Sequence, residues 1–234
     1  MTPLPLAIVA GDGCALRGEL WSGGSARVVL LHDVGPEEDL DRWRPLIPFL
    51  LAAELSVLAV DLRGHGASDG DWCEDKAVDD VVSWIRMARA AGAPFVVAIA
   101  AGATAEHLLW AADRTELDGV VLLSAMAPEG FSRVPRGAGV PKLFLVGTND
   151  PVSRESTGNL RRASIGMALE VTFPTHEHGT ALLRGVWNGH VQEQITGFVR
   201  QYRYPSKSGE GGARATPADA LLERLGVDPK GERE

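Results

Sequence analysis

The chain is poor in cysteine, with two in 234 residues, Cys14 and Cys73. They show neither a Cys-x-x-Cys spacing nor the density of a disulfide scaffold, which fits the reducing cytoplasm. Cys73 stands ahead of a helical stretch and not at the end of a core strand, so it reads as inert packing and not as a catalytic thiol. Long hydrophobic runs are missing as well: nothing approaches the roughly 20 apolar residues of a membrane-spanning helix. Residues 1–10 lack the basic start and long apolar stretch of a signal peptide and read as a first strand. Positive charge is scarce, 23 Lys and Arg against 31 Asp and Glu, for a formal net charge of −8. Nucleic acid and anionic membrane are therefore excluded as partners, because no local basic patch outweighs the repulsion. Arg161-Arg162, the densest basic pair in the body of the chain, reads as a solvated helix face.

What is present is ordinary material for one globular domain with an appendage: 45% hydrophobic and 23% charged residues. Leu6–Ala10, the Gly11-Asp12-Gly13 turn and the alternating Ala15–Trp21 read as an N-terminal antiparallel hairpin. Arg27–His32, Leu55–Asp61, Phe95–Ala100, Gly119–Ser124 and Lys142–Gly147 are short continuous apolar runs of the kind buried in a parallel sheet. A last strand is expected at Leu169–Phe173. Helices are expected from about Asp41 to Leu51, over the Val78, Val81, Val82, Ile85, Ala88 stripe, and around Gln192–Tyr204. The alternation of strand and helix predicts an α/β fold, a mostly parallel twisted sheet with helices on both faces.

Such a sheet places its ligands at the carboxyl ends of its strands. There stand His32-Asp33-Val34-Gly35, then Asp61-Leu62-Arg63-Gly64-His65-Gly66-Ala67-Ser68, then Gly147-Thr148-Asn149-Asp150-Pro151, and finally His176-Glu177-His178-Gly179. These segments resemble the α/β-hydrolase superfamily, in particular small capless esterases and dienelactone-hydrolase-like proteins, over roughly Val9 to Tyr204. The resemblance implies that Asp150 is the acid and His178 the histidine of a catalytic triad, with His176 as a rival. It implies an oxyanion hole made by the backbone N–H groups of Val34 and Ala103. His32, Asp33, Ser124 and His176 would line the pocket.

The nucleophile that this resemblance calls for is absent. In the family pattern Gly-x-Ser-x-Gly, one hydroxyl sits on a strained turn between strand and helix. Here the three defining positions are Ala100, Gly102 and Thr104. Glycine tolerates the unusual backbone of that turn, so the elbow's shape is expected to persist without its chemistry. With no side-chain oxygen or sulfur at 102, acyl transfer through that position is impossible. Asp33 replaces the usual oxyanion-loop glycine; it reads as a loop-capping aspartate, and its charge would oppose a developing oxyanion.

Other nucleophiles are weaker candidates. Thr104 reads as a hydroxyl at a helix N-terminus, and Ser124, at a strand end, as a residue able to reach the rim. His176, His178, Asp150 and His190 make only a weak metal signal, and neither metal nor cofactor is expected.

The stretch from Ala125 to Pro141 is too short for a cap domain. Domain organisation is read as 1–204 for the hydrolase-fold domain, 205–215 for a flexible linker, and 216–234 for a tail with a short amphipathic helix. Its marks are Thr216 as cap, Pro217, Asp219 and the Leu221, Leu222, Leu225 stripe. The expected function is that of a cytoplasmic, non-catalytic hydrolase homologue that binds a small molecule, such as an acyl compound, or a protein partner. The tail helix would dock on its own domain, on a twin subunit in a homo-oligomer, or on another protein. The alternative is an esterase or thioesterase using an unconventional nucleophile or a water activated by His178.

Overall fold

The computed structural model describes residues 2–127, 136, 137 and 139–203. The expected linker and tail helix lie outside the described residues. Eight strands form one sheet: β1 (Leu4–Val9), β2 (Ala15–Trp21), β3 (Arg27–Leu31), β4 (Ser56–Val60), β5 (Val96–Ala101), β6 (Gly119–Leu123), β7 (Lys142–Gly147) and β8 (Ala168–Phe173). Their spatial order is β1-β2-β4-β3-β5-β6-β7-β8. β1 pairs antiparallel with β2, and β2 antiparallel with β4. Every pairing from β4 onward is parallel. This is the mostly parallel α/β sheet with an N-terminal antiparallel pair that the sequence predicts, and no further domain is found among the described residues.

The parallel strands read as continuous apolar runs because both faces are covered. Val29, Leu31, Leu58, Val96, Ala98, Leu122 and Phe144 face one core, which they share with Trp84, Ile85 and Leu108. Their alternating neighbours Val28, Leu30, Val57, Val97, Ile99, Leu123 and Leu145 face the other, against Leu50, Val191, Ile195 and Val199. The first core is roofed by α2 (Glu74–Ala90) and α3 (Thr104–Ala112), the second by α1 (Ile47–Ala52) and α5 (Asn188–Arg203). α4 (Pro151–Ala163) follows β7.

α2 forms where the three-and-four spacing predicts, with Glu74 and Asp75 in its first turn and Arg89 in its last, as the helix dipole favours. The single helix expected over Asp41–Leu51 is instead two pieces, a 3₁₀ turn at Leu40–Trp43 and α1. Pro45 and Pro48 fall inside that stretch, and each removes a backbone donor and restricts the residue before it. No helix among the described residues is long and apolar enough to cross a membrane.

The Asp61–Ser68 segment is a hydrogen-bonded brace beneath the sheet's carboxyl edge. The Asp61 carboxylate accepts from Leu40 N at 2.9 Å and Ala67 N at 2.8 Å. Arg63, buried, holds Asp80 through Nε and Nη2 at 2.8 and 2.9 Å. His65 Nε2 accepts from Gly35 N at 3.2 Å and so ties this segment to the loop after β3.

Gly66 has φ +52°, and a Cβ there would lie 2.2 Å from Asp61 Cγ. Gly66→Ala must therefore displace the carboxylate and strand two amides, and it should cost about 2–3 kcal/mol. The urea midpoint measures this against Val186→Ala, at a position 88% exposed, which should stay within about 0.5 kcal/mol of the parent.

Candidate active site

At the end of β5 the chain passes through Gly102, with φ +55°, straight into α3. Only glycine takes that left-handed backbone without cost. The turn is anchored on both sides: Gly102 N donates to Leu123 O and Met126 N to Gly102 O, each at 2.9 Å. The elbow keeps its form, and no functional side chain stands at its apex.

The space above the apex is filled from another strand. Asp33 follows the end of β3, and its Oδ1 accepts from Val34 N at 2.7 Å and from Ala103 N at 2.9 Å. These are the two amides that the resemblance to the α/β-hydrolases implies for an oxyanion hole. A Cβ on residue 102 would lie 1.8 Å from Asp33 Oδ2 and 2.0 Å from its Cγ. A side chain at 102 and this carboxylate therefore cannot coexist in this arrangement. Asp33 does cap its loop, and its Oδ1 lies directly between the two amides and not merely near them.

His32 sets the backbone that aims Asp33. It is fully buried, and burial lowers its pKa to about 4, so the ring is neutral at physiological pH. Leu62 N donates to Nε2 at 3.0 Å, and Nδ1 lies 2.6 Å from Asp33 O. The first bond needs a lone pair on Nε2, so the proton is assigned to Nδ1, which donates to Asp33 O.

His178 stands across the elbow from α3. Its Nδ1 is 2.9 Å from Asp150 Oδ2 and 2.7 Å from Ser153 Oγ, and its Nε2 is 3.3 Å from Asp33 Oδ2. The imidazole is thus bracketed by two carboxylates. The hydrogen bond to Asp33 chiefly raises its pKa, burial opposes this, Asp150 adds to it, and the result is about 9. At neutral pH His178 is an imidazolium with a proton on each nitrogen. It has no lone pair with which to take a proton from a hydroxyl or a water.

Asp150 ends the loop after β7 and caps α4, with Pro151 in the first turn. Burial pushes its carboxyl up. The Ser153 hydroxyl, His178 and the Ser153 amide outweigh that and hold it below the usual carboxylate value. Ser153 Oγ donates to Asp150 Oδ2 at 2.5 Å, and Ser153 N to Asp150 Oδ1 at 3.2 Å. Ser153 was not singled out in the sequence. Its signal is its place three residues after a capping aspartate, where a polar side chain meets the cap.

The other candidates do not converge on this centre. His176 is exposed, with Nδ1 2.7 Å from Asn149 O. Ser124 is fully buried at φ +48°, and its hydroxyl has no partner among the described residues. It does not reach the rim. Thr104 opens α3, but its Oγ1 is also buried without a partner among the described residues, so it caps nothing; the cap position belongs to Ala103. His190 lies in the first turn of α5, edge-on to Trp187. Among the described residues no group of three or more His, Cys, Asp or Glu is placed to hold a metal ion.

Proton NMR of the His178 ring should give a titration midpoint near 9. In Asp33→Asn the midpoint should fall, because the largest support of the charge is removed. The folded-state pKa lies above the ordinary 6.5, so the stability that His178 contributes is complete below that value. It is lost as pH rises through about 9, and the gap in unfolding midpoint between the parent and His178→Gln should narrow over that window. A pH-independent gap would contradict the charged pair.

The sequence of residues 24–138 matches the family model described as serine aminopeptidase, S33. No curated protein matches the chain in sequence. Among solved structures, an esterase from Pyrococcus furiosus is similar at a TM-score of 0.69 with 18% identity, over 86% of this chain and 91% of that one. A monoacylglycerol lipase from Paleococcus ferrophilus is similar at 0.64 and 16% identity, over 80% and 99%. An alpha-beta serine hydrolase homologue from Coxiella burnetii is similar at 0.66 and 15%, over 85% and 98%. With this sheet order, the elbow after β5, and Asp150 and His178 after β7 and β8, the chain is a protein of the α/β-hydrolase fold.

Proposed function

We propose that this protein is a pseudo-hydrolase towards carboxylic esters and thioesters, which binds a small molecule at the Asp33 and His178 side chains without forming an acyl-enzyme. One observation carries this reading: the Asp33 carboxylate accepts from both candidate oxyanion donors and fills the volume of a side chain at 102. Acyl transfer needs a nucleophile, a base with a free lone pair and free donors where negative charge develops. Gly102 supplies no nucleophile, the charged His178 is no base, and the donors are taken. A protein partner reached through the tail, the alternative of a homo-oligomer, and a cytoplasmic location belong to the same proposal, supported by the sequence alone.

The second reading, an esterase with an unconventional nucleophile or with water activated by His178, draws support from the esterases among its structural relatives. The buried hydroxyls of Thr104 and Ser124 and the charge on His178 weigh against it.

Incubation with a serine-directed fluorophosphonate and a panel of short acyl esters separates the two. The parent protein should give no labelling and no turnover above a heat-treated control. Turnover that His178→Ala abolishes would establish the esterase reading instead.

Gly102→Ser alone should remain silent, since its Cβ must enter the space held by Asp33. Gly102→Ser combined with Asp33→Gly and Thr104→Gly frees the donors and the apex and should gain fluorophosphonate labelling at residue 102. A folded triple variant that stays unlabelled would show that more than the elbow has been remodelled.

A further inference from the structure

We infer that this protein binds a primary alkylammonium ion apart from the elbow, in the cavity framed by β2, the 3₁₀ turn at Leu40–Trp43 and the loop that runs from Asp61 to Ala67. The cavity measures about 360 Å³, within the range of small-molecule sites. Neither Asp33 nor His178 lines it, so the inference stands independently of what the elbow does.

Charge decides the class of ligand. Two guanidiniums, Arg17 and Arg44, and four carboxylates, Glu19, Asp39, Asp41 and Asp61, line the cavity. Both guanidiniums are already committed. Arg17 Nη1 donates to Asp69 Oδ1 at 2.5 Å and to Ala67 O at 2.6 Å. Arg44 Nη2 holds Asp41 Oδ1 at 2.7 Å and Glu19 Oε2 at 3.3 Å, and the guanidinium lies over the Trp21 ring at 5.3 Å. Asp39 and Asp61, by contrast, have no ion-pair partner among the described residues. An entering anion would meet occupied cations and unpaired carboxylates, whereas a cation meets the charge it lacks.

The buried anchor is Asp61, only 3% exposed. Each of its oxygens accepts one amide, from Leu40 and from Ala67, which leaves acceptor capacity on both. Those bonds satisfy the oxygens without neutralising the charge. Burial raises the pKa of this carboxyl above its ordinary value; the amides oppose that, and the negative charges of Asp39 and Asp41 raise it again. A buried anion is thus held in a negative field, an arrangement that costs free energy until a cation shares it. Glu19 adds an orphaned acceptor to the same wall: its Oε2 is buried and accepts no hydrogen bond, with only the ion-pair contact to Arg44. Gly66, also in the lining, leaves the carboxylate uncovered, since a Cβ there would lie 2.2 Å from Asp61 Cγ.

The walls narrow the cation further. An ammonium has three donors and no acceptor, which suits carboxylates offered by separate segments, Asp39 before the 3₁₀ turn and Asp61 after β4. Pro5, Leu6 and Leu40 supply an apolar surface for a short alkyl chain. A bare metal ion is not served, because among the described residues no group of three or more His, Cys, Asp or Glu is placed to hold one.

The test is amide NMR of the full chain titrated at constant ionic strength with butylamine, putrescine and agmatine, and with butyrate and butanol as the matched anion and neutral probe. At least one amine should move the Leu40 and Ala67 resonances, whose N–H groups rest on Asp61, and should saturate in the millimolar range, within reach of a ligand of about five heavy atoms. Butyrate and butanol should leave both resonances in place. Asp39→Asn keeps an oxygen to accept from Asp41 N and removes the charge. It should weaken amine binding about tenfold, the share of a hydrogen bond to a charged group, with the rest of the spectrum unchanged. An unaltered affinity in Asp39→Asn, an equal response to butyrate, or no saturable shift at Leu40 and Ala67 with any of the three amines overturns the inference. Shifts confined to Val34 and Ala103 would put the amine at the elbow and overturn it as well.

Discussion

Two backbone amides at the carboxyl edge of the sheet, those of Val34 and Ala103, point into one small volume, and the Asp33 carboxylate occupies it. Such amides are among the strongest anion receptors a protein can build without a side chain, and charge-assisted bonds of this length are roughly twice as strong as neutral ones. Filling them from the chain itself fixes much else. Residue 102 must be glycine, because a Cβ would collide with the carboxylate, and the left-handed turn that glycine permits keeps the Ala103 amide aimed at Asp33. The two residues, 69 positions apart in the numbering of one chain, act as a single unit.

The same carboxylate changes the character of the histidine. Where an uncharged hydroxyl would leave an imidazole free to act as a base, Asp33 on one side and Asp150 on the other stabilise its protonated form. Ser153 steadies the far end, donating to Asp150 and lying within reach of His178 Nδ1. The histidine is therefore a proton donor at neutral pH and gains a free lone pair as pH rises through about 9. A side chain at residue 102 and this placement of the Asp33 carboxylate are mutually exclusive on steric grounds.

Much of the architecture was legible in the sequence because its signals are local. Continuous apolar runs bounded by turn residues mark strands buried on both faces, and the Val78–Ala88 spacing marks a helix with one apolar side. Where the reading missed, near Asp41–Leu51, Pro45 and Pro48 break the helix, and their effect on neighbouring backbone outweighs the periodicity. Asp150, His178, Gly102, Val34 and Ala103 were singled out because they stand in the turns after strands and because those segments resemble the α/β-hydrolase motifs. Ser153 was not, since it acts through Asp150, stands at no strand end, and has for its signal only its place three residues after a capping aspartate. Ser124 and Thr104 looked available to a rim, and burial removes them, a property that depends on what packs above and not on the residue.

By itself, then, the sequence determined the kind of sheet, the glycine at the elbow and the absence of any hydroxyl or thiol there, since these follow from residue identity and short-range pattern. It also placed a carboxylate after β3. Only the tertiary structure decided where that carboxylate points. Its direction depends on a buried neutral His32 held by Leu62, on an amide contributed by a different βα turn, and on His178 arriving from the far side of the sheet. Those contacts join segments distant in sequence, and the charge and conformation of Asp33 and His178 are set by one another, which no single stretch of chain encodes.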